Sequence, residues 1–157
     1  MQLMGIISDT HDEYDKLTKA LTVFENYGVD TILHCGDVET PETVEMLGPW
    51  NCRLVFGNRD FAREKLAKAL DGINAIYAPD TLEFEWSGLK FFATHGDSKT
   101  ALDKAINSQQ YDFVCSGHTH VYSCEKIGRT TVLNPGAIKF GSYVIVDDSG
   151  CVMHNPE

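Results

Sequence analysis

Long apolar runs are missing from this 157-residue chain. Nothing in it approaches the ~18 consecutive apolar residues of a membrane span, so no membrane partner is expected. Its start, Met1-Gln2-Leu3-Met4-Gly5, has neither the basic segment nor the small-residue cleavage site of a secretory leader. Cysteine is sparse and odd in number: five residues at 35, 52, 115, 124 and 151, none spaced as Cys-x-x-Cys. This usage suits a reduced, cytoplasmic protein in which Cys35, Cys52 and Cys115 are small buried hydrophobes. Positive charge is scarce too, with 13 Lys and Arg against 23 Asp and Glu and a formal net charge of −10. The basic residues form no stripe, and nucleic-acid affinity rests on neutralising many phosphates, so a generic nucleic-acid partner is not expected. A small phosphate ester is compatible with this acidity if bound cations supply positive charge locally. Internal repeats, linkers and insertions long enough to form a lid are also lacking. One domain over residues 1–157 is expected, free to assemble as a homo-oligomer.

What the chain does have is alternation. Strand-like runs Leu3–Ile7, Thr31–Cys35 and Arg53–Phe56 are separated by segments with helical spacing. The first of these carries Leu17, Ala20, Leu21 and Phe24, with Asp12 as expected N-cap and Gly28 as stop. Thr40-Pro41 opens a second helix that ends near Gly48-Pro49. Asp60 is the expected cap of a third, with Ala62, Leu66, Ala69 and Leu70 on one face, and Ser98 of a fourth carrying Leu102, Ala105 and Ile106. After Ile73 strands dominate: Thr81–Trp86 and Leu89–Ala93 flank a turn at Ser87-Gly88, and Phe113–Cys115, Val121–Ile127, Thr130–Leu133, Ser142–Val146 and Cys151–Met153 follow. The class is α/β, with two sheets packed together and helices outside.

Seven metal-grade side chains directly follow these runs: Asp9, His11, Asp37, Asn58, His95, His118 and His120. They fall at the carboxyl ends of strands, where open α/β sheets hold ligands. The pairs Asp9/His11 and His118/His120 stand at i,i+2, which in extended chain aims both members at one face. Histidine nitrogen with carboxylate oxygen suits Mn, Fe, Zn, Ni or Co better than Mg or Ca. Seven donors exceed one tetrahedral site, so either two divalent ions bind, about 3.5–4 Å apart where one carboxylate can bridge them, or several of these residues are not ligands. A hydroxide between two such ions would be the nucleophile.

The ordered set Asp9-x-His11, Gly36-Asp37, Gly57-Asn58-Arg59-Asp60, His95-Gly96 and Gly117-His118-Thr119-His120 resembles the calcineurin-like metallophosphoesterase superfamily. The short length and Asn134-Pro135-Gly136 resemble its small single-domain phosphodiesterase branch. The resemblance implies a four-layer α/β/β/α sandwich of two mixed sheets flanked by helices. It also implies that Asp9, His11 and His120 hold one ion, Asn58, His95 and His118 the other, and that Asp37 bridges, with manganese the foremost metal. The implied activity is hydrolysis of small phosphodiesters through a metal-bridging hydroxide. Alternatives are a phosphomonoesterase or nuclease on the same site, or a non-catalytic scaffold like the retromer subunit of this fold, whose metal site is degraded. Many members of the superfamily carry histidine where this chain has Arg59, a guanidinium that cannot release a proton at working pH. Arg59 is the candidate catalytic residue, clamping phosphoryl oxygens as charge develops, or else pairing with Asp60.

The remaining residues near these motifs have plainer readings. His34 is expected to be packed or to support a ligand, Asp12, Asp60 and Asp97 to cap helices, and His154 to be solvated. Tyr14, Phe61 and Tyr122 lie near ligand motifs, where aromatic residues belong to the core more often than they line a cleft.

Overall fold

In a computed structural model covering residues 1–157, the chain alternates strand and helix until it reaches its strand-rich second half. The first part runs β1 (Leu3–Ile7), α1 (Tyr14–Tyr27), β2 (Thr31–His34), α2 (Pro41–Met46), β3 (Asn51–Val55), α3 (Arg63–Gly72) and β4 (Ile76–Ala78). Then come β5 (Thr81–Trp86), β6 (Leu89–Thr94), α4 (Lys99–Ser108), β7 (Phe113–Cys115), β8 (Tyr122–Ile127) and β9 (Thr130–Pro135). A 3-10 turn at Ile138–Phe140 leads to β10 (Val144–Asp147) and β11 (Val152–His154). One mixed sheet has the order β11-β10-β1-β2-β3-β4 and the other β5-β6-β7-β9-β8. In the first, β1 to β4 are mutually parallel; in the second, β6, β7 and β9 are.

Side-chain alternation explains the layers. On β1, Met4 and Ile6 face the second sheet and join Leu33, Val55, Phe91, Phe113 and Leu133 in an inter-sheet core. Leu3 and Ile7 face the other way, onto Leu17, Phe24, Val44, Leu66 and Leu70 of the first three helices. β1 is therefore buried on both faces, as its unbroken apolar sequence requires of a central parallel strand. α4 covers the far side of the second sheet, where Ala105, Phe92 and Val114 form a third cluster. Each fully buried Leu, Ile or Phe contributes about 1.5–3 kcal/mol of apolar transfer, and the three clusters together hold the α/β/β/α stack.

Several local expectations change. Thr40 and Ser98 do cap α2 and α4, through Thr43 N–H at 3.3 Å and Ala101 N–H at 3.4 Å. By contrast, Glu13 and Ala62 occupy the N-cap positions of α1 and α3 with no side-chain cap bond. Asp12 and Asp60 therefore do not cap; Asp60 is turned inward, for reasons given below. Tyr14 and Phe61 are not core residues, being 41% and 80% exposed. His154 is exposed as expected, yet its ring stacks on Tyr122 at 3.7 Å. No helix is long and apolar enough to cross a membrane.

Candidate metal centre

The carboxyl ends of β1, β2, β3, β6 and β7 meet at one edge of the sandwich, each followed by a short polar loop. The loops carry unusual backbone. Asp9, His11, Asp37, His118 and His120 all have positive φ, between 44° and 70°, as do Asp12 and Glu39. The i,i+2 pairs are thus brought together by left-handed turns, and not by the pleat of an extended strand as the spacing suggests. Non-glycine residues in this region cost about 1–3 kcal/mol each and persist only where their surroundings over-determine them.

Those surroundings are hydrogen bonds between loops. Asp60 is the principal organiser: Oδ2 accepts from Asp37 N–H (3.0 Å) and Gly57 N–H (2.7 Å), and Oδ1 from Glu39 N–H (2.7 Å). One buried carboxylate thereby joins the loops after β2 and β3. Burial raises its pKa against these three donors. Asp9 Oδ2 accepts from Ser8 Oγ (2.6 Å) and His118 N–H (3.0 Å), linking the two sheets. The Asn134 amide donates to Gly117 O (2.9 Å) and Thr119 Oγ1 (3.0 Å), bracing the loop that bears His118 and His120. Glycine is obligatory in two of these approaches. A Cβ on Gly57 would overlap the Asp37 carboxylate, and one on Gly117 would overlap the Ser8 hydroxyl.

Five of the seven sequence-derived donors converge. Asp9, His11 and His120 form one group and Asp9, Asp37 and His95 another, the donor atoms of each lying within 4.8 Å of one another. Asp9 Oδ1 is 3.3 Å from His120 Nε2, 3.5 Å from His11 Nε2 and 3.9 Å from His95 Nε2. His95 Nε2 is 3.2 Å from Asp37 Oδ2. Asn58 and His118 are exposed and border the same cavity, with the His118 ring 5.1 Å from that of His95. Asp9 is common to both groups in this arrangement, and Asp37 Oδ2 also lies between them, 3.2 Å from His95 Nε2 and 3.9 Å from His11 Nε2.

The electrostatics fit a bound cation. His95 Nδ1 donates to Cys35 O at 2.8 Å, which turns Nε2 toward the carboxylates. Asp9 Oδ1 and His95 Nε2 are both buried without a hydrogen-bond partner, a costly condition for atoms of this polarity. His11 Nδ1 faces Glu39 Oε2 at 3.1 Å, and since a carboxylate only accepts, the proton of a neutral His11 sits on Nδ1. Its Nε2 lone pair then points toward Asp9 Oδ1 (3.5 Å) and His120 Nε2 (3.2 Å), so that nitrogen and carboxylate donors face one another as they would around a cation. Burial favours the acid form of Asp37, yet the nearby His95 ring (Nε2 at 3.2 Å) and the Arg59 N–H at 2.9 Å hold it below the usual carboxylate range. Burial likewise opposes a charged His95, but contact with Asp37 and the Cys35 carbonyl brings its pKa up to about 9. His34 is different: full burial pushes it down to about 3. Its Nδ1 accepts from Gly36 N–H (3.0 Å) and its Nε2 faces Thr10 Oγ1 (3.4 Å), whose hydroxyl donates to Asp37 O (3.2 Å).

A cavity of about 570 Å³ opens above these groups, and no apolar side chain lines it. Asp12, Glu39, Arg59 and Lys139 complete its wall beside the histidines. Arg59 does not pair with Asp60; its Nε donates to Glu39 Oε1 at 3.1 Å and its side chain is 57% exposed. Sequence reasoning missed Glu39 and Lys139, and nothing in their local pattern marks them, because the loops that place them are set by Asp60 and by the 3-10 turn. It noticed Asp60 within Gly57-Asn58-Arg59-Asp60 but assigned it to a helix end.

Comparison with known proteins bears on the same edge of the fold. Residues 1–149 match the family model described as the calcineurin-like phosphoesterase superfamily domain. A phosphodiesterase of Methanocaldococcus jannaschii is 38% identical over 136 residues, spanning 85% of this chain and 82% of that protein. A solved structure described as a novel archaeal phosphodiesterase superposes with a TM-score of 0.91 at 33% identity, covering 97% of this chain and 98% of the other. Vps29 of Entamoeba histolytica shares the fold at a TM-score of 0.72 and 18% identity, covering 98% and 97%.

Proposed function

Because the chain belongs to the calcineurin-like phosphoesterase superfamily, we propose that residues 1–157 form one catalytic domain that hydrolyses small phosphodiesters at a two-metal centre. The observation that carries this reading is the pair of orphaned buried atoms, Asp9 Oδ1 and His95 Nε2, within a five-residue nitrogen and oxygen donor cluster. Asp9, His11 and His120 would hold one ion and Asn58, His95 and His118 the other, with Asp37 shared. Mixed imidazole and carboxylate donors suit Mn, Ni, Fe, Zn or Co, and the family resemblance puts manganese first. Bound there, the ions would activate water at neutral pH and draw charge from the phosphoryl oxygens.

The chain's own residues supply positioning. The open polar cavity admits the phosphoryl group, and its only fixed cations are Arg59 and Lys139. With Nε tied to Glu39, the terminal N–H groups of Arg59 are free for a forked contact to two phosphoryl oxygens. Arg59 donates hydrogen bonds but no proton, so a leaving group able to depart as an anion is preferred. The five free cysteines accord with a cytoplasmic setting. The test is turnover of bis-aryl and mono-aryl phosphates by chelator-stripped protein, before and after adding Mn. Metal-restored hydrolysis with the diester turned over faster is expected; equal or faster monoester turnover would assign a phosphomonoesterase, and no hydrolysis would discard the enzyme reading.

A further inference from the structure

Glu39 stands two residues beyond Asp37 in left-handed backbone, φ 64°, with its amide donated to Asp60. The side chain is 18% exposed and its two oxygens have different partners. Oε2 takes the Nδ1–H of His11 and Oε1 takes the Nε–H of Arg59, each at 3.1 Å. The first contact fixes the plane and tautomer of His11, so that Nε2 faces the Asp9 and His120 donors. Carboxylates behind histidine ligands do this generally, and losing one typically costs 10–100-fold in metal affinity. The second contact holds one edge of a guanidinium that is otherwise more than half exposed. A long, exposed side chain loses much rotamer freedom when it engages a ligand, and a tether at Nε removes part of that loss in advance.

We propose that Glu39 is a positioning residue that sets the His11 ring for one metal ion and the Arg59 fork for the phosphoryl group through the same carboxylate. The proposal rests on the two-metal reading of the site. It makes metal capture and substrate capture share one support, and none of the seven donors touches the Arg59 side chain in this way. Glutamine cannot serve both partners, since only one of its amide atoms accepts a hydrogen bond. Alanine serves neither.

The test begins with metal-stripped protein titrated with Mn, following bound ion by calorimetry and free Mn by electron paramagnetic resonance. Wild type should bind two ions, with Glu39→Ala weakening one by about 10–100-fold and leaving the other within about twofold. Glu39→Gln, nearly isosteric, should keep the fold and show a smaller loss in one of the two limbs. Arg59→Ala should leave both dissociation constants unchanged. At saturating Mn, Glu39→Ala should raise KM more than it lowers kcat in the wild-type background. In the Arg59→Ala background it should change KM little, because directly coupled sites are non-additive. Unchanged Mn affinity in both Glu39 variants would overturn the proposal. So would equal weakening of both ions with a lowered Tm, which is the signature of a general structural role. Wild type that binds no ion would overturn the two-metal reading, and this proposal with it.

Discussion

At the scale of single residues, the site contrasts groups that give charge with groups that give shape. Asp37 combines both: its carboxylate meets His95 and the Arg59 amide while Gly57 presses against it. Asp37→Asn removes a charge from the ligand that the two ions of the proposed centre would share. Loss of at least one ion, measured by elemental analysis, is expected with loss of nearly all turnover; near-normal kcat with two ions bound would refute a shared role. Arg59 is the opposite case, touching no donor of the metal groups with its side chain. Arg59→Ala should lower kcat/KM by about tenfold to a thousandfold, the range lost when one charge-stabilising donor is removed. Metal content should not change. Because the guanidinium keeps its proton, wild-type rates should fall steeply as leaving-group pKa rises, and Arg59→His should flatten that dependence. Kinetics indifferent to Arg59→Ala would restrict the residue to its surface pair with Glu39.

At the scale of elements, the loops after β2 and β3 act as one unit because Asp60 binds three of their amides. Asp60→Ala strands two buried N–H groups and a part-buried third, and with each buried one worth about 1–3 kcal/mol a loss of about 2 kcal/mol or more is expected in urea unfolding. A stability within about 0.5 kcal/mol of wild type would mean that water or another side chain takes over these donors. This unit also shows what the sequence discloses and what it hides. The strands were legible because Leu3–Ile7 and Phe113–Cys115 are apolar throughout, and α2 because Thr40-Pro41 is a strong local start signal. The seven candidate donors were legible because they follow those runs. Glu39 was not, since its place depends on an acid 21 residues later in sequence. β4 escaped because Ile76–Ala78 is three residues long and pairs only with β3. The assignment of Asp60 as a cap failed because three amides from two loops compete for its oxygens more effectively than one helix end.

At the scale of the whole molecule, one buried histidine should make the metal-stripped protein lose stability in acid. His34 titrates near 6.5 when unfolded but near 3 when folded, so below pH 6.5 the unfolded chain binds a proton that the folded chain refuses. Stability is then lost as pH falls through that window, by up to about 1.4 kcal/mol per pH unit from this residue. The depressed Asp37 carboxyl adds in the same direction at lower pH. Urea titrations of metal-stripped protein between pH 7 and 4 should show a shallower slope for His34→Gln than for wild type. Parallel slopes would mean that His34 is protonated in the folded state. The left-handed turns have a consequence of another kind, in time and not in energy. Their dihedrals are held by bonds between loops, from the Asp37, Gly57 and Glu39 amides to Asp60 and from the His118 amide to Asp9, which need no ion to form, so capture of the first ion has little chain rearrangement left to wait for. Loading should therefore proceed in a single fast phase, linear in metal concentration, with the exchange of ligand water on the ion itself as the slowest step.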